Sequence, residues 1–355
     1  MKKKQWMRKI GILITSIVII FSIVSIGVTK YVYDNQFPRY DRIDETISAK
    51  LRYSDLNKDY PRQEISFESG KNLLRGYIYG NDNTLGLVVV AHGLGGGADS
   101  YLSQIKFFVD SGWKVFAYDS TGSYESEGKS TRGFPQSILD LNAALAYVET
   151  SDNLNTLPIL LFGHSWGGYA VANALHFEHN IKGVVTVSGA NSAMGMISEQ
   201  GEKMMGPFIY TQSPFLWISQ RLLFGDVATL DAVEAINKTD TPFLIIHGTE
   251  DDMVGYNRSS IIANSDKLTN PNVQIISVSE SGRNGHNNIF KSKEASEYIE
   301  QINIEYKKLY DFHDQNIPYD INQAFYAKVD RHLVEALDQT LMQTINAFFI
   351  KMAKR

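Results

Sequence analysis

The chain contains no cysteine. That absence removes a thiol nucleophile, cysteine-ligated zinc, iron–sulfur clusters and a lipid-modified N-terminal cysteine, and it leaves any exported form without disulfides. Asp and Glu are missing from the first 30 residues, which hold six of the 34 Lys and Arg, so the net charge of −5 conceals a basic end and a far more acidic remainder. An acidic body argues against a nucleic-acid-binding surface. There is no internal repeat, no low-complexity tract and no H-E-x-x-H or comparable metal-ligand spacing, so neither a metal nor another cofactor is expected. What is present, 355 residues with 43% hydrophobic and 21% charged side chains, suffices for a full core and excludes wholesale disorder.

Long apolar runs are also absent, with one exception. Residues 10–29 read IGILITSIVIIFSIVSIGVT without a charge. At ~1.5 Å per residue a helix of this length covers the ~30 Å hydrocarbon core of a bilayer. Lys2, Lys3, Lys4, Arg8 and Lys9 precede it and Trp6 sits where an interfacial aromatic would. The positive-inside rule then leaves the N-terminus in the cytoplasm and everything after Lys30 outside. The competing reading is a cleaved signal peptide and a secreted body. Signal peptides have shorter apolar regions, typically ~7–15 residues, and Ser25-Ile26-Gly27 is a poor cleavage site, so an uncleaved anchor is favoured.

The expected organisation is a basic cytoplasmic segment (1–9), a transmembrane signal-anchor (10–29), a polar and aromatic stalk (30–61), a main domain (62–290) and a helical extension (291–355). Within the main domain, 64–80 reads as two strands about a Ser-Gly turn. Six short, solidly apolar runs follow: 85–93, 113–120, 157–165, 181–189, 241–248 and 273–280. Continuous rather than alternating runs suit strands buried on both faces of a mostly parallel sheet. The helix-length segments between them, such as 137–149, make this a doubly wound α/β domain.

Gly163-His164-Ser165-Trp166-Gly167 ends one apolar run and opens a segment of small residues. A serine held in a strained strand-to-helix turn needs glycine two positions to either side, where a side chain would strike the tight backbone. His92-Gly93-Leu94-Gly95-Gly96-Gly97 ends an earlier run. It lacks the lysine and spacing of a phosphate loop, and it suits presentation of main-chain N–H groups to a developing oxyanion. The Leu94 and Trp166 amides are the expected pair. His92 is read as a loop brace, His164 as packing beneath the turn, and His176, His179, His247, His313 and His332 as structural.

With these motifs the chain resembles the α/β-hydrolase superfamily over about 64–290, in the serine-hydrolase branch that holds the serine aminopeptidase, monoacylglycerol lipase and esterase relatives. The resemblance implies an α/β-hydrolase fold with a helical cap, and an acid and a histidine following the serine in chain order. The family's G-x-x-D spacing selects Asp251, with Glu250 and Asp252 as rivals, and its glycine-histidine step selects His286. Asp119 falls where the family carries an aspartate that braces the oxyanion loop.

The cap would occupy about 191–240. Its apolar residues Met194, Met204, Met205, Phe208 and Trp217 are candidate substrate contacts for an acyl chain; packing of the cap onto the body is the alternative. Beyond residue 290, Leu333, Leu337, Leu341, Ile345 and Phe348 suggest one long amphipathic helix ending at Lys351, Lys354 and Arg355, packed in the core or, less favoured, lying on a membrane surface. The expected activity is ester hydrolysis by an anchored esterase or lipase-type serine hydrolase acting on a small acyl ester. Amide hydrolysis with the same triad is the second reading, and a non-catalytic binding protein the third.

Overall fold

The computed structural model describes residues 2–354; Met1 and Arg355, the latter expected at the basic end of the last helix, lie outside them. Helices are α1 (Lys2–Gln36), α2 (Tyr53–Leu56), α3 (Leu102–Asp110), α4 (Phe134–Thr150), α5 (Trp166–Asn173), α6 (Ala193–Met205), α7 (Ile209–Phe224), α8 (Ala232–Asn237), α9 (Lys293–Phe312), α10 (Tyr319–Tyr326), α11 (Arg331–Val334) and α12 (Gln339–Ala353). Strands are β1 (Arg62–Ser69), β2 (Asn72–Tyr79), β3 (Leu87–Ala91), β4 (Lys114–Tyr118), β5 (Ile159–His164), β6 (Ile181–Val187), β7 (Phe243–Gly248) and β8 (Val273–Val278).

Every apolar run read as a strand forms one. The eight pair in the order β1-β2-β4-β3-β5-β6-β7-β8. The hairpin β1–β2 pairs antiparallel with itself and with β4, and the remaining ladders are parallel. Strands β3, β5 and β7 are buried throughout, as continuous apolar runs require. Strand β8 departs from that expectation: it is the edge of the sheet and half its residues are exposed.

Each face of the sheet is covered. One core joins side chains of α3 and α12 to alternate sheet residues such as Val88, Val90, Leu160 and Phe162. The other joins α4, α5 and α8 to the intervening residues, among them Val89 and Leu161. The period-2 alternation of side chains thus assigns successive residues of β3 and β5 to opposite cores.

The expected single helix from Leu333 is two. Asp338 caps α12, its carboxylate accepting from the Leu341 amide at 2.6 Å, and its own amide donates to the Phe290 carbonyl at 2.8 Å. That tie turns the chain between α11 and α12. Leu341, Ile345, Phe348 and Phe349 are buried, and Asn346 accepts from the Trp113 indole at 2.8 Å, so α12 is a core helix.

The segment read as a stalk packs on the body. Helix α1 continues unbroken past Thr29 to Gln36. Phe37 is then buried, Arg39 donates to the carbonyls of Tyr124, Ser126 and Gly128, and Arg42 pairs with Asp99 at 2.7 Å.

Candidate active site

Ser165 stands between β5 and α5 with φ 57° and ψ −117°. This is left-handed backbone for a residue with a side chain, a strain that persists only where its surroundings enforce it. Glycines enforce it here: a Cβ on Gly163 would lie 2.2 Å from the Gly167 carbonyl oxygen, and one on Gly167 would lie 2.0 Å from that of Ala91.

The Ser165 hydroxyl is 2.8 Å from His286 Nε2. His286 follows β8 and its Nδ1 lies 2.9 and 2.8 Å from the two carboxylate oxygens of Asp251, which follows β7. Three strand ends therefore bring together residues far apart in the chain. The rivals Glu250 and Asp252 are exposed, whereas Asp251 is buried. Burial alone would raise the Asp251 pKa. Hydrogen bonds from His247, His286 and the Val254 amide outweigh it and hold the carboxylate well below its usual range.

Leu94 and Trp166 both border the cavity above Ser165. Among the described residues neither amide donates to a protein acceptor, which leaves both free for a substrate oxygen. His92 braces the loop as expected: its Nε2 accepts from the Ser120 amide at 2.9 Å, so Nδ1 carries the proton toward the Gly93 carbonyl at 2.8 Å. Burial lowers its pKa to about 4. Asp119 holds the far end of the same loop, accepting from the Ala98 amide at 2.7 Å and the Tyr77 hydroxyl at 2.9 Å. Burial raises its pKa to about 6.

Two histidines read as structural touch the triad. His247 Nε2 is 2.8 Å from the Val254 carbonyl and 3.3 Å from Asp251 Oδ2. His164 Nε2 is 3.0 Å from the His286 carbonyl, and its Nδ1 is 2.8 Å from the Tyr101 hydroxyl. Tyr101 carried no sequence signal beyond its place after the glycine loop.

The cavity has a volume of about 890 Å³. Its lining includes none of Met194, Met204, Met205, Phe208 and Trp217. Met204, Phe208 and Trp217 are instead exposed on the outer side of the cap. Met196 is the cap methionine that reaches the cavity, and much of the opposite wall is Ile299, Ile302 and Tyr306 of α9 with Tyr326 of α10. The α9 residues recur at helical spacing, a signal the sequence carried without saying which cavity they face.

This geometry agrees with what the chain is similar to. Residues 82–229 match the family model described as serine aminopeptidase, S33. The chain superposes on the Pyrococcus furiosus esterase Pf2001 with a TM-score of 0.53, at 19% identity, covering 77% of this chain and 95% of that one. The chain has the α/β-hydrolase fold. A second solved structure with this hydrolase fold, Est1E of Butyrivibrio proteoclasticus bound to ferulic acid, gives a TM-score of 0.53 at 16% identity over 82% and 100% of the two chains. In sequence the chain is 26% identical over 152 residues to the quorum-quenching protein AidA of Acinetobacter baumannii. That alignment spans 40% of this chain and half of AidA. The family match includes the strained Ser165.

Proposed function

We propose that the protein is a membrane-anchored carboxylesterase acting through an acyl-enzyme on Ser165. The observation that carries this reading is the unbroken relay from the Ser165 hydroxyl through His286 to Asp251. Asp251 accepts the Nδ1 proton and fixes the tautomer in which Nε2 is free to act as base. Nε2 takes the hydroxyl proton as Oγ attacks the ester carbonyl, and the oxyanion forms against the Leu94 and Trp166 amides. Collapse breaks the ester C–O bond, and His286 returns the proton to the leaving alcohol. A water deprotonated by His286 then attacks the acyl-enzyme, and Ser165 recovers its proton as the carboxylic acid leaves.

An ester is favoured over the amino-terminus of a peptide by charge. The one carboxylate among the residues lining the cavity is Glu335, and it is paired with Lys291 at 2.5 Å. The acidic cap residue Glu199 is buried and engaged with Ser259, Gly255 and Lys203. Neither is free to receive a substrate ammonium. The anchor reading is supported by α1, whose apolar window has a mean hydropathy of 2.6 and is 6% buried, unlike the core helix of a soluble protein. By the charge distribution the body faces away from the cytoplasm.

A fluorophosphonate probe should label the full chain and fail to label Ser165→Ala. Turnover of p-nitrophenyl esters should exceed that of aminoacyl amides; the reverse order would replace the esterase reading with a peptidase, and no labelling of folded protein would remove both.

A further inference from the structure

Helix α7 of the cap is apolar on its outward face as well as on its inward one, where Ile209, Leu216 and Phe224 are buried. Gln212 and Gln220 face inward, 6% and 0% exposed, while Trp217, Ile218 and Leu222 face outward at 50%, 49% and 82%. Its sixteen residues carry one charge, Arg221. A surface helix ordinarily places its polar side chains outward, and an exposed apolar patch of this kind marks a contact.

What covers the patch follows from the element packed beside it. Phe21, Ser25, Thr29 and Tyr33 recur every four residues along α1. Phe21 meets Phe215 of α7 with ring centroids 6.0 Å apart, Tyr33 meets Gln220 at 3.3 Å, and Ser25 and Thr29 between them are buried. Small side chains at that spacing let two helices approach closely. Phe21 lies eight residues before the end of the charge-free run, about 12 Å inside it at the α-helical rise. If residues 10–29 cross the bilayer, Phe215 is therefore at hydrocarbon depth. Exposed Trp217, Ile218 and Leu222, on the same helix, then face acyl chains and headgroups.

We propose that α7 lies in the same leaflet from which α1 emerges, so that anchor and cap form a two-helix attachment and the catalytic cavity opens at the membrane surface. The cavity lining reaches Gln36, seven residues past Thr29 and about 10 Å along the helix. Cap residue Met196 lines the same cavity. Substrate would then enter from the bilayer as a membrane-partitioned ester. The proposal rests on the anchor reading above.

Tryptophan quenching separates the two. The full chain is reconstituted in phosphatidylcholine vesicles with bromines near the ester end of the acyl chains. Trp113 and Trp166 are buried in the core, leaving Trp6 to report on the anchor and Trp217 on the cap. The expected result is a bromine-quenched component lost in Trp6→Phe and a second one lost in Trp217→Phe. Quenching of Trp6 without Trp217 would overturn the proposal, keep the anchor, and assign the patch to a protein contact such as a second copy. Quenching of neither would overturn the anchor and the proposal with it. As a second readout, Ile218→Asp with Leu222→Asp should leave turnover of a short soluble ester unchanged and lower that of a bilayer-borne long-chain ester roughly tenfold, since carboxylates are costly in hydrocarbon. Equal loss on both esters would count against the proposal.

Discussion

The His164 and His286 rings lie with centroids 4.9 Å apart and planes tilted by 38°, and His164 Nε2 donates to the His286 main-chain carbonyl at 3.0 Å. The direction follows from the bonds beyond. The Gly93 amide donates to the Tyr101 oxygen at 3.0 Å, so the Tyr101 hydroxyl proton is available to His164 Nδ1 and the His164 proton sits on Nε2. A single chain of hydrogen bonds thus links the glycine loop at Gly93 to the loop that carries His286. Burial, with His286 beside it, lowers the His164 pKa to about 3, which keeps the ring neutral and the donor in place.

Removing the Tyr101 hydroxyl should uncouple the two loops. Tyr101→Phe leaves the Gly93 amide and His164 Nδ1 without partners in a buried site, at a stability cost of about 1–3 kcal/mol. The expected kinetic effect is a fall in kcat of roughly tenfold with KM little changed, because the loss is in alignment of groups that act in the transition state. Thermal melts and steady-state ester hydrolysis check both parts; an unchanged kcat would show the link to be structural alone.

Asp251→Asn should lower kcat by about 10³–10⁴-fold, from loss of the correct histidine tautomer. Asp251 Oδ1 also accepts from the Met253 and Val254 amides at 3.0 and 2.8 Å. Asparagine has one acceptor oxygen, so satisfying those amides turns its NH₂ toward His286. Nδ1 must then accept, and the proton moves to Nε2, where it blocks base catalysis. Glu250→Gln and Asp252→Asn, at exposed positions, should leave kcat within about twofold, as surface changes usually do.

Stability should fall as pH falls below about 6.5. His92 and His164 have folded pKa values of about 4 and about 3 against an ordinary 6.5, so the unfolded chain binds protons that the folded one refuses. Asp119 acts in the opposite sense, since its pKa of about 6 lets the folded state bind a proton first, and it offsets one of the two histidines. The urea midpoint is expected to decline between pH 6.5 and 4, with a shallower decline in His164→Gln. A midpoint independent of pH over that interval would contradict burial of neutral rings.

Enlarging a side chain on the extension should change substrate length. Ile302 is nearly buried and borders the cavity. Ile302→Trp fills part of the space between α9 and the serine, and a p-nitrophenyl ester series should then shift toward shorter acyl chains, with KM for long esters raised roughly tenfold, as a lost apolar contact of 1–3 kcal/mol implies. Tm within a few degrees of the parent would show that the effect is one of fit.

The strands and the residues that meet at Ser165 are legible because each depends on local chemistry. A doubly buried strand must be apolar at successive positions, a strained elbow excludes side chains at Gly163 and Gly167, and a strand end followed by Asp or Gly-His marks a loop that can carry a polar group. The cap was harder to read. An apolar residue looks the same in sequence whether it faces a cavity, the body or a bilayer, so residue order does not separate the exposed Trp217 and Phe208 from Met196 and the α9 residues that line the cavity. The break before α12 is hidden because the apolar spacing from Leu333 to Phe348 continues through it: the Asp338 cap on the Leu341 amide is local, but the tie of the Asp338 amide to the Phe290 carbonyl depends on a neighbour 48 residues away in the chain.

The amino-acid sequence by itself determined the strand set, the strained serine, its candidate partners and a span long enough for a membrane, since all of these are written in residue order and spacing. Only the tertiary structure decided which walls enclose the serine, how His164 and Tyr101 join its loops, and that α1 runs on to brace the cap. Those features rest on contacts between segments far apart in the chain, where packing selects among many arrangements that local pattern leaves equally open.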